Sequence, residues 1–345
     1  MKGIQQDHLE AYFEAHVEGA TPPLRFSLIT GGHSNLTYLV EDAAGRKMVL
    51  RRPPTGAVLA TAHDMAREHR ILTALGPSPV PVPRTLALCE DESVNDAPFY
   101  VMDYVEGAVL VDPEKTEAHV PMETRRGLGE HVIEVLADLH ALEPDEVGLG
   151  DLGRREAYLA RQLKRWKGQW EKTKTRELAL MDEAHRGLEE CMPEQVGAAI
   201  VHGDYRLGNM LSDGRRGRVL AVLDWELCTL GDPLADLGYL MNDWANPGEQ
   251  RVSAGGDRLS PTIRGGFPTR DEMLARYEAL TGRSTTRIDY YCAFQYWRLA
   301  AIVEGVLSRY KKGVMGGRAD TSAFERQVET LAQAAVDLLR SDGLR

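Results

Sequence analysis

The chain has 345 residues, which is longer than one ordinary domain and predicts two domains or lobes. Hydrophobic residues make up 43% of the sequence, enough for well-packed cores, and the formal net charge is −11. Because nucleic acids are bound through clustered Lys and Arg, a chain this acidic is not expected to bind them.

Cysteine spacing and hydropathy bear on the cellular compartment. The four cysteines are widely spaced and form no C-x-x-C pair, which argues against a zinc site or a disulfide framework. The N-terminal segment lacks the apolar stretch of a signal peptide, and no run approaches the roughly 18 apolar residues of a membrane helix. We therefore expect a cytoplasmic protein that does not associate with membranes.

The first 105 residues show the pattern of a small antiparallel sheet with one helix packed on it. Gly-Gly and polar turns separate the strand-like runs, and a Pro-rich linker follows the helix. The predicted helices cover about 5–18 and 58–75, and the predicted strands cover 25–30, 36–41, 47–51, 85–89 and 99–105.

From residue 106 onward the pattern is mainly helical, so we predict an α+β fold with domains at 1–105 and 106–345. One stretch, 245–268, has eight Gly or Pro residues and is either a mobile substrate loop or a disordered insertion. The predicted helices include one ending near residue 140, two within 151–192, and three at 271–280, 287–310 and 322–339. Short strands are predicted at 198–201, 209–211 and 219–223.

The strongest chemical signal is the motif His202-Gly203-Asp204, which follows an apolar strand and precedes Asn209. Phosphoryl transfer needs a carboxylate that orients the attacking hydroxyl, and hard oxygen ligands for the Mg²⁺ that neutralises the phosphates. The kinase catalytic loop places its Asn five residues after its Asp, the spacing found here. A hairpin then leads to Asp224, a second carboxylate. The pattern predicts Asp204 as the catalytic base, with Asn209 and Asp224 as Mg²⁺ ligands.

The N-terminal half offers a glycine-rich turn that could hold nucleotide phosphates. Gly31, Gly32, Ser34 and Asn35 lie between two strand-like runs, where successive backbone N–H groups can bind an anion. The same Gly-Gly pattern is also typical of a hairpin turn that binds nothing.

A basic strand residue is the next part of a nucleotide site. Strand alternation places Arg51 and Arg52 on opposite faces, and we expect Arg51 to contact the α- and β-phosphates. Arg52 then faces solvent or makes a second phosphate contact. Kinases use Lys at this position, and Arg is not its equivalent. Glu68 is the first candidate for a helix acid that pairs with the cation, and Asp64 is the second, although a solvated helix face also explains Glu68.

The segment that joins the two halves corresponds in position to a kinase hinge. Backbone N–H and C=O groups of Asp103, Tyr104 and Val105 are expected to bind adenine there. Side-chain identity neither supports nor opposes this role, because only the backbone takes part.

Together these motifs resemble those of the aminoglycoside phosphotransferase or choline kinase superfamily. H-G-D-x-x-x-x-N at 202–209, L-D-W-E at 223–226 and the run 231–237 match its marks, and the resemblance covers about 25–310. It implies a protein-kinase-like, two-lobed fold with ATP in the cleft, a small antiparallel-sheet N-lobe and a larger helical C-lobe. It also implies the roles given above to the base and the Mg²⁺ ligands, and a structural role for Asp236 in bracing the catalytic loop.

A closer resemblance is to phosphotransferase domains fused to, or encoded beside, acyl-CoA dehydrogenases, and the run V-L-R-R-P-P-T-G at 49–56 carries it. It implies a kinase for hydroxyacyl-CoA thioesters. The dehydrogenase part is absent from this sequence, so a kinase that stands alone is expected. A late predicted helix carries basic and aromatic side chains that would suit a polyanionic acyl-CoA, although ordinary core packing also explains them: Arg298, Arg309, Lys311, Lys312, Phe294, Tyr296 and Trp297.

Two alternatives remain open at the level of sequence. Aminoglycosides, choline-like compounds and homoserine-like or sugar substrates are other acceptors of the superfamily, and the motifs do not distinguish among them. Arg51 in place of Lys also permits a pseudokinase that binds nucleotide without turnover, although Asp204, Asn209 and Asp224 are all present. A protein kinase is not expected, because the D-F-G and A-P-E motifs are absent.

Overall fold

The structure, a computed structural model, describes residues 2–29, 35–55, 64–246, 248–249, 259–313 and 320–341. The chain divides into two compact units. The first unit contains Met1–Gly107 and Leu220–Leu227, and the second contains Ala108–Val219 and Cys228–Arg345.

The first unit is built on an antiparallel sheet. Its strands are β1 (Arg25–Leu28), β2 (Leu36–Glu41), β3 (Lys47–Arg52), β4 (Thr85–Cys89) and β5 (Phe99–Asp103), and its helices are α1 (Gln6–His16), α2 (Met65–Leu75) and α3 (Glu92–Asn95). The strand order is β1-β2-β3-β5-β4, and every neighbouring pair is antiparallel. Phe13 of α1 packs with Val40, Leu50 and Val101 of the sheet in one hydrophobic core.

Local hydrogen bonds explain where the elements of the first unit begin and turn. The carboxylate of Asp42 accepts from the N–H groups of Ala44 (3.0 Å) and Arg46 (2.8 Å), which closes the turn between β2 and β3. Asp64 caps α2 by accepting from the N–H of Arg67 at 2.9 Å. The segment 220–227 joins this unit because, for example, the N–H of Val222 donates to the carbonyl of Pro81 at 2.8 Å.

The second unit is mainly helical. Its helices are α4 (Pro113–His119), α5 (Met122–Ala141), α6 (Tyr158–Thr173), α7 (Ala179–Glu190), α8 (Leu234–Asp243), α9 (Arg270–Thr281), α10 (Ile288–Lys311) and α11 (Thr321–Arg340). Its short strands are β6 (Ala199–Val201), β7 (Met210–Asp213), β8 (Arg218–Val222), which ends in the first unit, and β9 (Thr229–Gly231). β6 pairs with β9, and β7 pairs with β8.

Helix α10 forms the centre of the second unit, packed against α6, α7, α8 and α11. Its aromatic residues Tyr290, Phe294 and Trp297 have no exposed surface. The suggestion that Phe294 and Trp297 help to form a ligand surface is therefore wrong, since both belong to the core.

The predicted α+β class, with a small antiparallel sheet and a larger helical part, is confirmed. Among the differences, β5 ends at Asp103, and α3 interrupts the turn predicted between β4 and β5. Helices α4 and α8 and strand β9 were not predicted individually. The predicted helix 58–75 is described only from residue 64, and the description shows α2 from Met65.

The C-terminal part of the Gly/Pro-rich stretch, residues 259–268, is described and is packed against the protein. Ser260 donates from Oγ to the carbonyl of Asp243 at 2.6 Å, and Trp244 donates from Nε1 to the carbonyl of Pro268 at 2.8 Å. Residues 259–268 are thereby attached to the end of α8. In the described residues, no helix combines the length and apolar composition needed to cross a bilayer.

Candidate active site

The His-Gly-Asp motif follows β6 in the second unit, and its backbone is held on both sides. Asp236, fully buried in the first turn of α8, accepts from the N–H groups of His202 (2.6 Å) and Gly203 (2.8 Å). The N–H of Asp204 donates to Nδ1 of His202 at 3.1 Å. Gly203 has a φ of +86°, a left-handed conformation that glycine adopts at little cost. These contacts fit the bracing role that the resemblance implies for Asp236.

Asp204 and Asn209 lie next to each other because a 3₁₀ turn at Leu207–Asn209 folds the loop back. The Nδ2 group of Asn209 donates to Oδ2 of Asp204 at 2.6 Å and to its backbone carbonyl at 2.9 Å. The Asp204 side chain is 23% exposed, and Nε of Arg206 lies 3.5 Å from its Oδ1. Because an amide directs its oxygen away from its N–H₂ group, the Asn209 oxygen faces away from this carboxylate and suits a hard cation.

In the first unit, Arg51 of β3 connects two carboxylates. Its Nε lies 2.8 Å from Oε2 of Glu68, and its Nη2 lies 2.6 Å from Oδ1 of Asp224. Tyr100 of β5 donates its hydroxyl to the same Glu68 oxygen at 3.0 Å. Of the two acids considered for this pairing, Glu68 therefore contacts Arg51, and Asp64 serves as the cap of α2.

The protonation of this cluster follows from burial and charge. Burial raises the pKa of Glu68, and the Arg51 guanidinium opposes that rise. Burial alone would lower the pKa of Arg51, but the neighbouring acidic groups of Tyr100, Glu68 and Asp224 raise it above its ordinary value. Burial and then Glu68 raise the pKa of Tyr100 well above its ordinary value, so Tyr100 stays a hydrogen-bond donor. The cluster is a largely enclosed cation held by two carboxylates, one of which also accepts from a phenol.

The glycine-rich turn is only partly described. Gly31, Gly32 and Ser34 lie outside the described residues, so their predicted phosphate contacts stay predictions. Asn35 is described, is 5% exposed, and donates from Nδ2 to Oε1 of Glu68 at 3.0 Å. Its side chain therefore belongs to the Arg51 cluster.

The structure contradicts one of the two roles predicted for Arg52, that of a solvent-facing side chain. It is 3% exposed, and its Nη1 donates to the backbone carbonyls of Gly3 (2.6 Å) and Asn95 (2.8 Å). The expectation that it faces solvent is wrong, because it ties the N-terminal segment to α3.

The predicted hinge begins where β5 ends. The N–H of Asp103 donates to the carbonyl of Arg84 at 2.9 Å, and its carboxylate contacts Arg84 at 2.8 Å and Arg46 at 3.4 Å. Tyr104 and Val105 follow without regular structure. Since the Asp103 N–H is already used, the adenine prediction keeps the carbonyl of Asp103 and the backbone groups of Tyr104 and Val105.

The two predicted Mg²⁺ ligands lie in different units, Asn209 in the second and Asp224 in the first. Asp224 follows β8 with a φ of +67°, which is uncommon outside glycine. Its carboxylate already accepts one cation, the guanidinium of Arg51 at 2.6 Å. Among the described residues, no group of three or more His, Cys, Asp or Glu could hold a metal. Each side chain by itself, the amide oxygen of Asn209 and the carboxylate of Asp224, is a kind of ligand that Mg²⁺ prefers.

Sequence reasoning did not identify Tyr100 and Tyr239 as neighbours of these groups. It also did not predict that Arg298 is buried. Tyr100 lies in a strand whose first four residues are all buried, so side-chain alternation gave no signal. Tyr239 is buried in α8, and burial followed by the charge of the Asp204 carboxylate raises the pKa of Tyr239 well above its ordinary value. Arg298 is 6% exposed rather than a surface cation.

The family profile described as "Phosphotransferase enzyme family" matches residues 25–273. The chain belongs to this family. Over 99% of its length it is also 33% identical to Acyl-CoA dehydrogenase family member 10 of Mus musculus, of which it spans 32%. Both the family and the similarity to acyl-CoA dehydrogenase-associated proteins agree with the resemblance given above.

Solved structures of phosphotransferases share the fold. A Ralstonia eutropha protein, named as a candidate aminoglycoside phosphotransferase, is 34% identical with a TM-score of 0.81, over 97% of this chain and 98% of that one. The ADP-bound aminoglycoside phosphotransferase APH(2'')-Ib is 16% identical with a TM-score of 0.59, over 97% and 99% of the two chains. At that identity the second likeness concerns the fold alone, and the predicted kinase-like fold is confirmed.

Proposed function

We propose that this phosphotransferase is a Mg²⁺- and ATP-dependent kinase that transfers the γ-phosphoryl group of ATP to a hydroxyl of a small molecule. The observation that carries the proposal is the catalytic loop: a partly exposed Asp204 carboxylate is fixed by the Asn209 amide on a backbone braced by Asp236. The ADP found in a neighbour of the same fold supports an adenine nucleotide as the donor.

The residues supply the parts that the reaction needs. The acceptor oxygen bonds to the γ-phosphorus, the bond from that phosphorus to the bridging oxygen of ADP breaks, and the hydroxyl proton passes to Asp204. Mg²⁺, when bound through Asn209 and Asp224, neutralises charge on the phosphates. Arg51, held by Glu68, contacts the α- and β-phosphates, and residues 31–35 and 103–105 surround the nucleotide. These roles rest on the spacing of the motifs and on the family.

The acceptor that we favour is a hydroxyacyl-CoA thioester. The name of the mouse relative supports it. So does a cationic stretch of α6, where the exposed Arg165 guanidinium lies 5.3 Å from the ring centre of the buried Trp166. Nη1 of Arg161 is buried, with no hydrogen-bond partner among the described residues. A polyanion complements such a stretch, whereas a polycationic aminoglycoside does not.

The cysteines support action in a reducing cytoplasm. All four, Cys89, Cys191, Cys228 and Cys292, are described as free thiols, and three of them are buried. Buried thiols without disulfides are typical of proteins from reducing compartments.

The experiment is Mg²⁺-dependent ADP release from ATP with a panel of 3- and 4-hydroxyacyl-CoAs, aminoglycosides, choline and homoserine. Strong stimulation by the CoA esters alone is the expected result. Stimulation by another class keeps the kinase and replaces the acceptor. Tight Mg²⁺–ATP binding without stimulation by any member, and without phosphorylated product, favours the nucleotide-binding pseudokinase.

A further inference from the structure

Arg298 of α10 is a buried cation that lies against the catalytic loop of the second unit. Its Nη2 donates to the carbonyl of Gly203 at 2.9 Å, and its Nη1 donates to Oε1 of Gln295 at 2.8 Å. The guanidinium carbon lies 5.4 Å from the ring centre of Trp166 and 5.9 Å from that of Tyr239. Within the part of the chain that the structure describes, no carboxylate contacts this guanidinium.

A buried charge held only by neutral groups is costly, and an apolar side chain of similar size would avoid the cost of desolvation. We therefore expect the guanidinium to be important for the position of the groups that accept its hydrogen bonds. Its anchor is itself fixed, because Gln295 donates from Nε2 to the carbonyl of Ala235 at 2.7 Å. Arg298 is thus part of a rigid connection from α10 and α8 to the loop.

The atom that Arg298 holds lies in the peptide that precedes the catalytic base. The oxygen of the Gly203–Asp204 peptide accepts from Arg298, and the N–H of the same peptide donates to His202. A planar peptide that is held at both its oxygen and its nitrogen cannot rotate. The direction in which the Asp204 side chain leaves the backbone is thereby fixed.

Tyr239 connects the same guanidinium to the carboxylate itself. The Arg298 guanidinium lies 5.9 Å from the Tyr239 ring centre, and the Asp204 carboxylate is among the charges that raise the pKa of the Tyr239 phenol, which places the phenol in the neighbourhood of that carboxylate. Cation–π contacts favour such an arrangement. One buried cation therefore contacts both the backbone that carries Asp204 and the aromatic ring beside its carboxylate.

We propose that Arg298 is a positioning residue, which orients Asp204 toward the acceptor hydroxyl by fixing the Gly203–Asp204 peptide and the ring of Tyr239. The proposal rests on the proposed function, since it takes Asp204 as the base. A displacement of about 1 Å at a reacting group can lower a rate roughly 100-fold.

The test compares Arg298→Met, Arg298→Lys and Tyr239→Phe for ADP release from Mg²⁺–ATP, with hydroxyacyl-CoA acceptors and with water alone as acceptor. We expect Arg298→Met to lower kcat roughly 100-fold, while KM for ATP and the calorimetric Kd for Mg²⁺–ADP change less than about twofold. Arg298→Lys, which keeps a charged donor, recovers part of the loss. Because Arg298 and Tyr239 act through one carboxylate, the double variant is expected to lose less than the product of the two single losses.

Arg125→Met is the matched control. Arg125 is also buried in the second unit, 4% exposed, and donates to the carbonyls of Val120 (3.2 Å) and Gly265 (3.1 Å). It should lose thermal stability to a similar extent and keep kcat. An equal loss of kcat in Arg125→Met, or an unchanged kcat in Arg298→Met, would overturn the proposal. If Arg298→Met does not fold, multiplicative losses in Arg298→Lys and Tyr239→Phe would overturn it.

Asp204→Asn, measured beside these variants, separates the two proposals. A large loss in Asp204→Asn with none in Arg298→Met rejects the positioning role alone. An unchanged kcat in Asp204→Asn rejects the base, and the positioning role with it.

Discussion

Two largely enclosed arginines of this phosphotransferase, one in each unit, are held by different kinds of group. Arg51 in the first unit contacts the carboxylates of Glu68 and Asp224. Arg298 in the second unit contacts a backbone carbonyl, an amide oxygen and two aromatic rings. Carboxylates can exchange one cation for another, whereas a carbonyl and a ring orient the guanidinium without neutralising it.

Three buried acids, Glu68 in the first unit and Asp232 and Asp236 in the second, differ in the same sense. Glu68 of the first unit pairs with a guanidinium. Asp232 of the second unit is fully buried and accepts from the Tyr291 hydroxyl (2.8 Å) and the N–H of Leu234 (3.1 Å). Asp236 likewise accepts backbone N–H groups. The first unit thus offers charges that a nucleotide and its metal could redistribute, and the second offers fixed dipoles that keep a loop in one geometry.

The largest expected effect concerns Asp204, whose carboxylate lies on the loop that these dipoles hold. Replacing Asp204 with Asn removes the proton acceptor and keeps the size of the side chain, so kcat for ADP release should fall about 10³-fold. Calorimetric affinity for Mg²⁺–ADP should stay nearly the same. Asp182→Asn, which removes an exposed carboxylate in α7 that pairs with Lys167, is the control and should keep kcat. Turnover retained in Asp204→Asn would show that another group accepts the proton.

The next prediction compares how much the free energy of unfolding falls when each of the two arginines is replaced. Arg51→Met leaves the 3%-exposed Glu68 without its counter-ion and should lower the free energy of unfolding by about 3 kcal/mol. Arg298→Met leaves no charge unpaired and should cost about 1 kcal/mol for the lost hydrogen bonds. Chemical denaturation measures both. Adding Glu68→Gln to Arg51→Met should recover part of the loss, and equal losses in the two single variants would contradict the contrast between the units.

Asp224→Asn tests whether the carboxylate now held by Arg51 can exchange that cation for a metal. We expect the affinity for ADP to fall about 100-fold in the presence of Mg²⁺, the upper end of what metal-site substitutions cost. Affinity without Mg²⁺ should change little. Titration calorimetry under both conditions gives the comparison, and Glu41→Gln, an acid of the same unit that contacts Arg25, is the control. Normal Mg²⁺–ADP affinity in Asp224→Asn would remove it from the metal site.

The sequence predicted the parts of the site that depend on short spacing. Asp204 and Asn209 are five residues apart in one loop, and their contact follows from that loop alone. Arg51 and Glu68 come from a strand and the helix that follows it along the chain, and their predicted pairing is present, while the predicted phosphate contact of Arg51 stays a prediction. The predicted α+β class depended on hydrophobic periodicity, which needs no long-range information.

The sequence could not predict contacts between elements far apart in the chain. Arg298 contacts Gly203, 95 residues away, and a basic residue on a helix is more often exposed than buried. Tyr100 and Tyr239 lie in elements that are buried on all sides, where neither strand nor helix periodicity marks an inward face. One contact of Asp42 was unpredictable for the same reason. Its carboxylate accepts from the N–H of Arg46 in its own turn and also from the N–H of Thr21, which belongs to a separate segment.

The smallest expected effect concerns Asp232, the acid that only neutral donors contact. Burial raises the pKa of its carboxyl from an ordinary 3.8 to about 6, so between these two values the folded protein binds a proton that the unfolded chain releases. Its contribution therefore favours folding at low pH and declines as pH rises from about 4 to about 6, by about 2 kcal/mol in all. Asp232→Asn lacks this titration, so the free energy of unfolding of the unaltered protein, measured relative to the variant, should decrease by that amount over the interval. Asp91→Asn is the control: hydrogen bonds from Ser93 lower the pKa of the exposed Asp91 carboxyl, so its trend with pH should be opposite. If the difference in unfolding free energy between the unaltered protein and Asp232→Asn did not change with pH, the donors Tyr291 and Leu234 would stabilise the ionised carboxylate as well as Arg51 stabilises Glu68. The contrast drawn here would then hold for the two arginines alone.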